Sequence, residues 1–414
     1  MDIDLRVKQE RIEKDLKNLG QFGATPEGGV TRLALTPEED AAREYVIDIF
    51  KDEGMEVTTD DIGNIFARRP GRDSSAAAIM IGSHIDSVIN GGIFDGNAGV
   101  IAGIEVIRVL NEMGIETEKP LEIAVFFAEE SASFGKSCIG SRAFTGQLEK
   151  EQMKVLTDRK GVNLEDALRA KGYNPEKLSN VSRDPSTLEA YFEIHIEQAD
   201  NLVTENIPVG VVTAIAAATR YKVQIKGQAG HSGATPMNRR KDALCAAAEV
   251  VLAVEKIAKN QEPGSTVGTV GDLKVEPGAM NIIPGYVELL IDIRDIDSKS
   301  KAEAAGKVTE AIKEISQNRN VEVEIIKMAD DEPVQTATHL VETLDEAAEK
   351  CGIPRKKMHS AAAHDAAYVA AIADVGMLFI RSVGGSHNPD EWADFADVTL
   401  ATEVLLEAVL KVAG

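Results

Sequence analysis

The chain has 414 residues, 43% of them hydrophobic, and sets 45 basic side chains against 68 acidic ones for a net charge of −23. That length predicts two or three domains rather than one core, and that charge argues against nucleic acid and anionic membranes as partners. Three scattered cysteines argue against a disulfide framework, the N-terminus lacks an apolar signal core, and no run approaches the ~20 apolar residues of a membrane span, so a cytoplasmic protein is expected.

Thr36-Pro37-Glu38-Glu39 opens a helix, with threonine at the cap, proline in the first turn and Glu39 three residues beyond the cap. Ala41, Tyr45, Val46, Ile49 and Phe50 continue it at helical spacing until Gly54. Strands are expected at Ile65–Arg68 and Ala77–Gly82, a helix from Gly99 to Glu112, then strands at Leu121–Phe127 and Tyr191–Ile196. This alternation predicts the α/β class, a mixed sheet flanked by helices, with ligands gathering at the carboxyl ends of its strands. From residue 211 the order changes: strand Tyr221–Lys226, helix Lys241–Lys259, strands Thr266–Lys274 and Val287–Arg294, helix Lys301–Gln317 and strand Val321–Lys327. That β-α-β-β-α-β order predicts a ferredoxin-like α+β domain over residues 211–327, inserted into a domain made of residues 1–210 and 328–414. Leu340–Cys351, Met377–Ser382 and Val398–Val412 then complete the first sheet.

GSHIDSVINGGIFDG (residues 82–96) places His84 and Asp95 after one apolar run, and FFAEES (126–131) places Glu129 and Glu130 after another. All four emerge at one sheet edge, a concentration of ionisable groups that a bound cation would hold together. Asp86 is placed to accept the other N–H of His84 and fix its tautomer. Taken alone, Asp95 reads equally as a helix cap, and the glutamate pair as solvated loop residues. In AYFEIHIEQ (190–198), alternation puts Tyr191, Glu193, His195 and Glu197 on one face, too polar for an interior unless a cation is there. His387 lies in the glycine-rich GGSHNPDEW loop, and His231 in GQAGHSGATPM of the inserted domain. His364 precedes Asp365 at a helix start, where a cap is the alternative, while His339 and His359 read as surface residues. Nitrogen and carboxylate donors without thiolate predict two divalent ions (Zn2+, Mn2+, Co2+ or Ni2+) ~3.5–4 Å apart, bridging a hydroxide and polarising a carbonyl.

The motifs GSHIDSVINGGIFDG, AEES, HIEQ, GHSGATPM, NIIP with DIRD, and SHNPDE run from residue 82 to residue 391. In combination they give the whole chain a resemblance to the dinuclear-metal amidohydrolases related to aminoacylase and glutamate carboxypeptidase. The nearer likeness is to the branch with N-carbamoyl-L-amino-acid hydrolase, β-ureidopropionase and allantoate amidohydrolase. The resemblance implies one ion on His84 and His195, another on Glu130 and His387, and Asp95 bridging them. It makes Asp86 the orienter of His84 and Glu129 the general base. Gln198 would contact the ureido group, Asn281 and Arg294 the substrate carboxylate, and His364 the substrate pocket. The inserted domain would be a dimerisation and lid domain of a homodimer, His231 crossing to stabilise the oxyanion in the partner's site. Relatives often read DEEG or NEEG where this chain has Ala128-Glu129-Glu130-Ser131, and SGAGHDA where it has Ser360-Ala361-Ala362-Ala363-His364-Asp365-Ala366.

The implied activity is metal-dependent hydrolysis of the ureido C–N bond of N-carbamoyl-L-amino acids to amino acid, CO2 and NH3. Allantoate amidohydrolase and β-ureidopropionase are the alternatives within the class. Aminoacylase or dipeptidase activity is disfavoured by His195, Gln198 and the Asn281/Arg294 pair. A non-catalytic binding protein ranks last, since no ligand or base of the pattern is missing.

Overall fold

The computed structural model describes residues 6–414. The chain opens with α1 (Gln9–Leu19), α2 (Pro37–Asp52), β1 (Glu56–Thr59), β2 (Ile65–Arg69), β3 (Ala78–His84), α3 (Asn97–Glu112), β4 (Leu121–Phe126), β5 (Leu188–Ile196) and β6 (Val209–Ile215). Next come β7 (Ala217–Lys226), α4 (Ala243–Lys259), β8 (Val267–Glu276), β9 (Tyr286–Asp295), α5 (Ser298–Arg319) and β10 (Glu322–Asp330). The last stretch is α6 (Thr338–Lys350), β11 (Arg355–Ser360), β12 (Asp374–Ile380) and α7 (Phe395–Ala413). No helix among the described residues is long and apolar enough to cross a membrane.

Two compact units result. One holds the residues up to Thr213 with Thr336–Ser360 and His364–Gly414, the other Ala214–Gln335 with Ala361–Ala363. The return to the first unit thus falls later than residue 328, because β10 runs on to Asp330. Likewise β7 begins at Ala217, ahead of the β-branched and aromatic signal at Tyr221, as its register with β9 extends to the pair Asp295 and Ala217.

In the first unit the strand order is β1-β2-β4-β3-β5-β12-β6, with β11 also on β6. β4, β3, β5 and β12 run parallel, flanked by antiparallel β2 and β6. β3 and β4 are buried along their whole length, as parallel strands covered on both faces require. Ile79, Ile81, Ile123, Phe192 and Leu378 join Ile104, Ile107, Leu344, Val404 and Leu405 from the helices in one core. A second cluster, with Phe127, Ile139, Leu164 and Leu168, covers the segment after β4. The second unit has strand order β10-β7-β9-β8, all antiparallel. Val223, Ile225, Leu289 and Ile291 face Ala247, Val250, Val308 and Ile312 of α4 and α5. This is the ferredoxin-like arrangement.

Thr36 caps α2 by accepting the N–H of Glu39. Glu39 reaches back one residue beyond the cap, to the N–H of Leu35. The fully buried Arg32 ties the first unit's loops together. Its guanidinium donates to the carbonyls of Ile85, Leu19 and Phe22 and to Asn97 Oδ1, at 2.5–2.9 Å. It thereby joins the loop after β3 to α1 and to the start of α3. Burial pulls its pKa down to about 10, so it keeps its charge at neutral pH. Arg32→Met should lower the unfolding free energy by roughly 3 kcal/mol, the cost of stranding several buried acceptors. Denaturant titration measures this, and a loss below about 1 kcal/mol would mean these hydrogen bonds contribute little net stability.

Candidate metal centre

The carboxyl ends of β3, β4, β5 and β12 meet at one edge, and each delivers ionisable groups. β3 ends on His84, whose Nδ1 lies 3.1 Å from the backbone carbonyl of Asp86. The Asp86 carboxylate, expected to orient the ring, lies 3.5 Å from the same nitrogen. Its two oxygens also accept the backbone N–H groups of Glu129 and Glu130, 3.0 Å each. Two convergent N–H donors go far to satisfy a buried carboxylate. Ala128, at φ +48°, makes the left-handed turn after β4 that precedes both donors.

β5 delivers His195, its Nδ1 3.0 Å from the carbonyl of Ile196. Both histidines thus direct Nε2 at Asp95 Oδ1, at 3.4 Å from His84 and 3.1 Å from His195. The other Asp95 oxygen, Oδ2, accepts from Gln198 Nε2 at 2.9 Å and lies 3.7 Å from His387 Nε2. His387, half exposed, is also 3.5 Å from Glu130 Oε1. Gly96, at φ +66°, admits the His84 ring, since a β-carbon there would fall 2.5 Å from it. Among the described residues, two groups have donor atoms close enough to hold a metal ion: His84, Asp95 and His195, and Asp95, Glu130 and His387. The chemistry fits a divalent ion. His84 Nε2 is buried and has no hydrogen-bond partner among the described residues, and the donors are imidazole and carboxylate.

Electrostatics points the same way. Burial, then the neighbouring Asp95 and Glu129, push Glu130 well above the carboxylate range. Burial works against a charged His195, yet Asp95 outweighs it and raises the ring to about 9. Burial also opposes ionisation of Asp95, but the two histidines hold it well below its usual value. Glu129 is buried and pushed up to about 7 by desolvation. Its Oε1 accepts from the Cys138 thiol at 3.0 Å, and its Oε2 lies 3.7 Å from His84 Nε2. A carboxyl poised near neutrality beside such a site has the proton affinity a general base needs.

Gln198 stands at φ +62°, and its Oε1 is buried without a partner among the described residues. His364, expected at the substrate pocket, is 2% exposed. Its ring lies 4.5 Å from that of His195, and its Nε2 is 2.9 Å from Ser360 Oγ. It packs against the ring of His195 at the edge of the donor groups. Glu193 and Glu197 are not donors to the site either. Glu193 takes Ser83 Oγ–H and the N–H of Ala366, and Glu197 takes the N–H groups of Asn201 and Leu202.

His231, Asn281 and Arg294 belong to the second unit. His231 pairs with Ile282 across a short ladder. Its Nδ1 accepts the N–H groups of Gly233 and Ala234 at 3.1 and 3.2 Å, so the proton of the neutral ring sits on Nε2. Arg294 gives one edge of its guanidinium to Asp292 (Nε at 2.8 Å, one terminal nitrogen at 3.3 Å), and its other terminal nitrogen reaches the carbonyl of Ala361 at 3.1 Å. Sequence reasoning missed Cys138, Ser386 and Glu391. The last two lie inside the quoted SHNPDE motif, but a serine and a second acid there carry no signal apart from the histidine.

Residues 80–411 match the profile of Peptidase family M20/M25/M40. Over 98% of the chain, it is 40% identical to an N-carbamoyl-L-amino acid amidohydrolase of Geobacillus stearothermophilus, 99% of which is covered. It is 37% identical to a ureidoglycolate hydrolase of rice (Oryza sativa subsp. japonica), covering 98% of this chain and 85% of that one. Among solved structures, an amidase of the hydantoinase/carbamoylase family from Burkholderia multivorans superposes with a TM-score of 0.89 at 36% identity, covering 98% of each chain.

The histidine pKa values set a direction for metal affinity. His195, raised to about 9, holds a proton at pH 7 that a metal must displace, and His84 is shifted in the same direction. Binding of Mn2+ or Zn2+ should therefore release protons, and affinity should rise as pH goes from 7 toward 9. Calorimetric titrations in buffers of different ionisation enthalpy read the proton count, and a count of zero would contradict the charge pattern.

Proposed function

The chain belongs to Peptidase family M20/M25/M40, and we propose that it is a metal-dependent hydrolase of the ureido C–N bond of N-carbamoyl-L-amino acids, yielding amino acid, CO2 and NH3. The observation that carries this reading is the single buried carboxylate of Asp95 shared by two donor groups, with Glu129 beside it. Full-length similarity to an N-carbamoyl-L-amino acid amidohydrolase supports the substrate class. The similarity to a ureidoglycolate hydrolase keeps another small ureido carboxylate as the second reading, alongside allantoate and β-ureidopropionate.

In this proposal His84 and His195 would hold one divalent ion, Glu130 and His387 would hold a second, and Asp95 would serve both. Zinc, manganese, cobalt and nickel suit these donors. Divalent ions at such a centre acidify water and polarise a carbonyl oxygen. Glu129 takes the proton of the attacking water and returns it to the leaving nitrogen as the C–N bond breaks. Gln198 offers its unpartnered Oε1 to a ureido N–H, while its Nε2 stays on Asp95. Asn281 and the outer edge of Arg294 take the substrate carboxylate, Asp292 holding that guanidinium in orientation. In a homodimer, the partner subunit's His231 would present its Nε2–H to the oxyanion, and the second unit would serve as dimerisation and lid domain.

Two experiments test this. Glu129→Gln should leave metal content intact while turnover falls by ~10²-fold or more, and retained turnover would remove Glu129 as base. Mixing His231→Ala with Glu129→Gln subunits should restore part of the activity, because each defective site can borrow the intact residue of its partner. Heterodimers as inactive as either parent would argue against a shared site. Ammonia release across N-carbamoyl-L-amino acids, β-ureidopropionate, ureidoglycolate and allantoate ranks the substrates, and deacetylation of N-acetyl-amino acids alone would overturn the ureido reading.

A further inference from the structure

Glu391 closes the SHNPDE motif, yet none of the chemistry above uses it. Its side chain is 3% exposed. Its Oε1 accepts the backbone N–H of Asp95 at 3.2 Å, and its Oε2 accepts Ser386 Oγ–H at 3.0 Å. The same Ser386 oxygen lies 2.9 Å from Asp95 Oδ2. The carboxylate thus bridges two loops, one carrying Asp95 and the other carrying His387. Gly92 leaves the room for it, since a β-carbon there would overlap the Glu391 carboxylate. The His387 loop is closed at its base by the ladder Ser382–Ala393 and Val383–Trp392. Trp392 then packs edge-on against Phe94, 5.1 Å between ring centroids. His387 itself is half exposed and stands at φ +62°, so its loop, not side-chain packing, sets its position.

We infer that Glu391 is a positioning residue for the metal centre. It locks the loop of His387 onto the loop of Asp95, so that the donor group Asp95, Glu130 and His387 has its shape before an ion arrives. It is not a ligand, as neither donor group includes it. The inference rests on the metal-binding reading above and extends it to a residue that reading leaves out.

Binding of Mn2+ to metal-free protein, followed by titration calorimetry, tests this without reference to turnover. Glu391→Ala should weaken binding by ~10–100-fold, the range seen when a ligand's supporting partner is removed. Glu391→Gln should recover most of that loss. Its amide oxygen can accept the Asp95 N–H, while its NH2 donates to Ser386 Oγ, whose own proton then points at Asp95. Ser386→Ala, which removes one of the two ties, should give a smaller loss and covers the case in which Glu391→Ala does not fold. Wild-type affinity in Glu391→Ala, or in Ser386→Ala where only that variant folds, overturns the inference. So does an equal loss in Glu391→Ala and Glu391→Gln, because charge or packing would then be at work instead of hydrogen-bonded placement. A wild-type protein that binds Mn2+ but turns over no ureido compound would remove the proposed substrate and leave this comparison standing. A wild-type protein that binds neither Mn2+ nor Zn2+ would overturn both.

Discussion

The ionised carboxylate of Asp95 is the interaction around which the site is organised. Its Oδ1 faces two imidazoles, from the end of β3 and the end of β5. Its Oδ2 faces Gln198, Ser386 and His387. Burying a carboxylate is costly unless its lone pairs are all addressed, and here five side chains from three distant parts of the sequence address them. The sheet supplies that convergence. Four parallel strands end together, the chain passing from β3 to β4 on one side and then from β4 back across to β5 on the other side of β3. Such a switch point is where a parallel sheet leaves a crevice for ligands.

Much of this was legible before any coordinates. Apolar runs followed by ionisable residues located β3, β4 and β5, because a strand buried on both faces reads as unbroken hydrophobic sequence and its end is marked by the first charge. The helices followed from period and caps, Thr36 being a clear instance. His84, Asp95, Glu129, Glu130, His195 and His387 do come together. What the sequence could not convey was direction. Nothing in HID tells whether an imidazole will take the carboxylate two residues on or the carbonyl of the same residue. Helical spacing does not tell whether His364 faces a pocket or lies behind another ring. Partners hundreds of residues apart, such as Glu391 and Asp95, have no local signature, because their hydrogen bond exists only once the sheet has closed.

The two units differ in how their side chains are committed. In the first, the ionisable residues at the strand ends are buried and interlocked, which accounts for the large displacements of their proton affinities. In the second, His231 is exposed and held by the backbone N–H groups of its own turn, and Arg294 leans on Asp292 two residues away. Polar groups arranged in that way keep their orientation without needing a low-dielectric surrounding.

The grip of Asp86 on the chain after β4 has a consequence for how this sequence can vary. The carboxylate holds main-chain N–H groups, not side chains. The N–H groups of residues 129 and 130 are therefore held by a contact that involves no side chain at 128 or 131. Alanine at 128 accepts a left-handed backbone that asparagine or aspartate would adopt more readily. AEES can thus stand where the resemblance leads one to expect DEEG or NEEG, its two glutamates held in place. Sequence drift at the flanks of the pair is absorbed by a contact blind to side-chain identity, and the chemistry between the flanks stays in register.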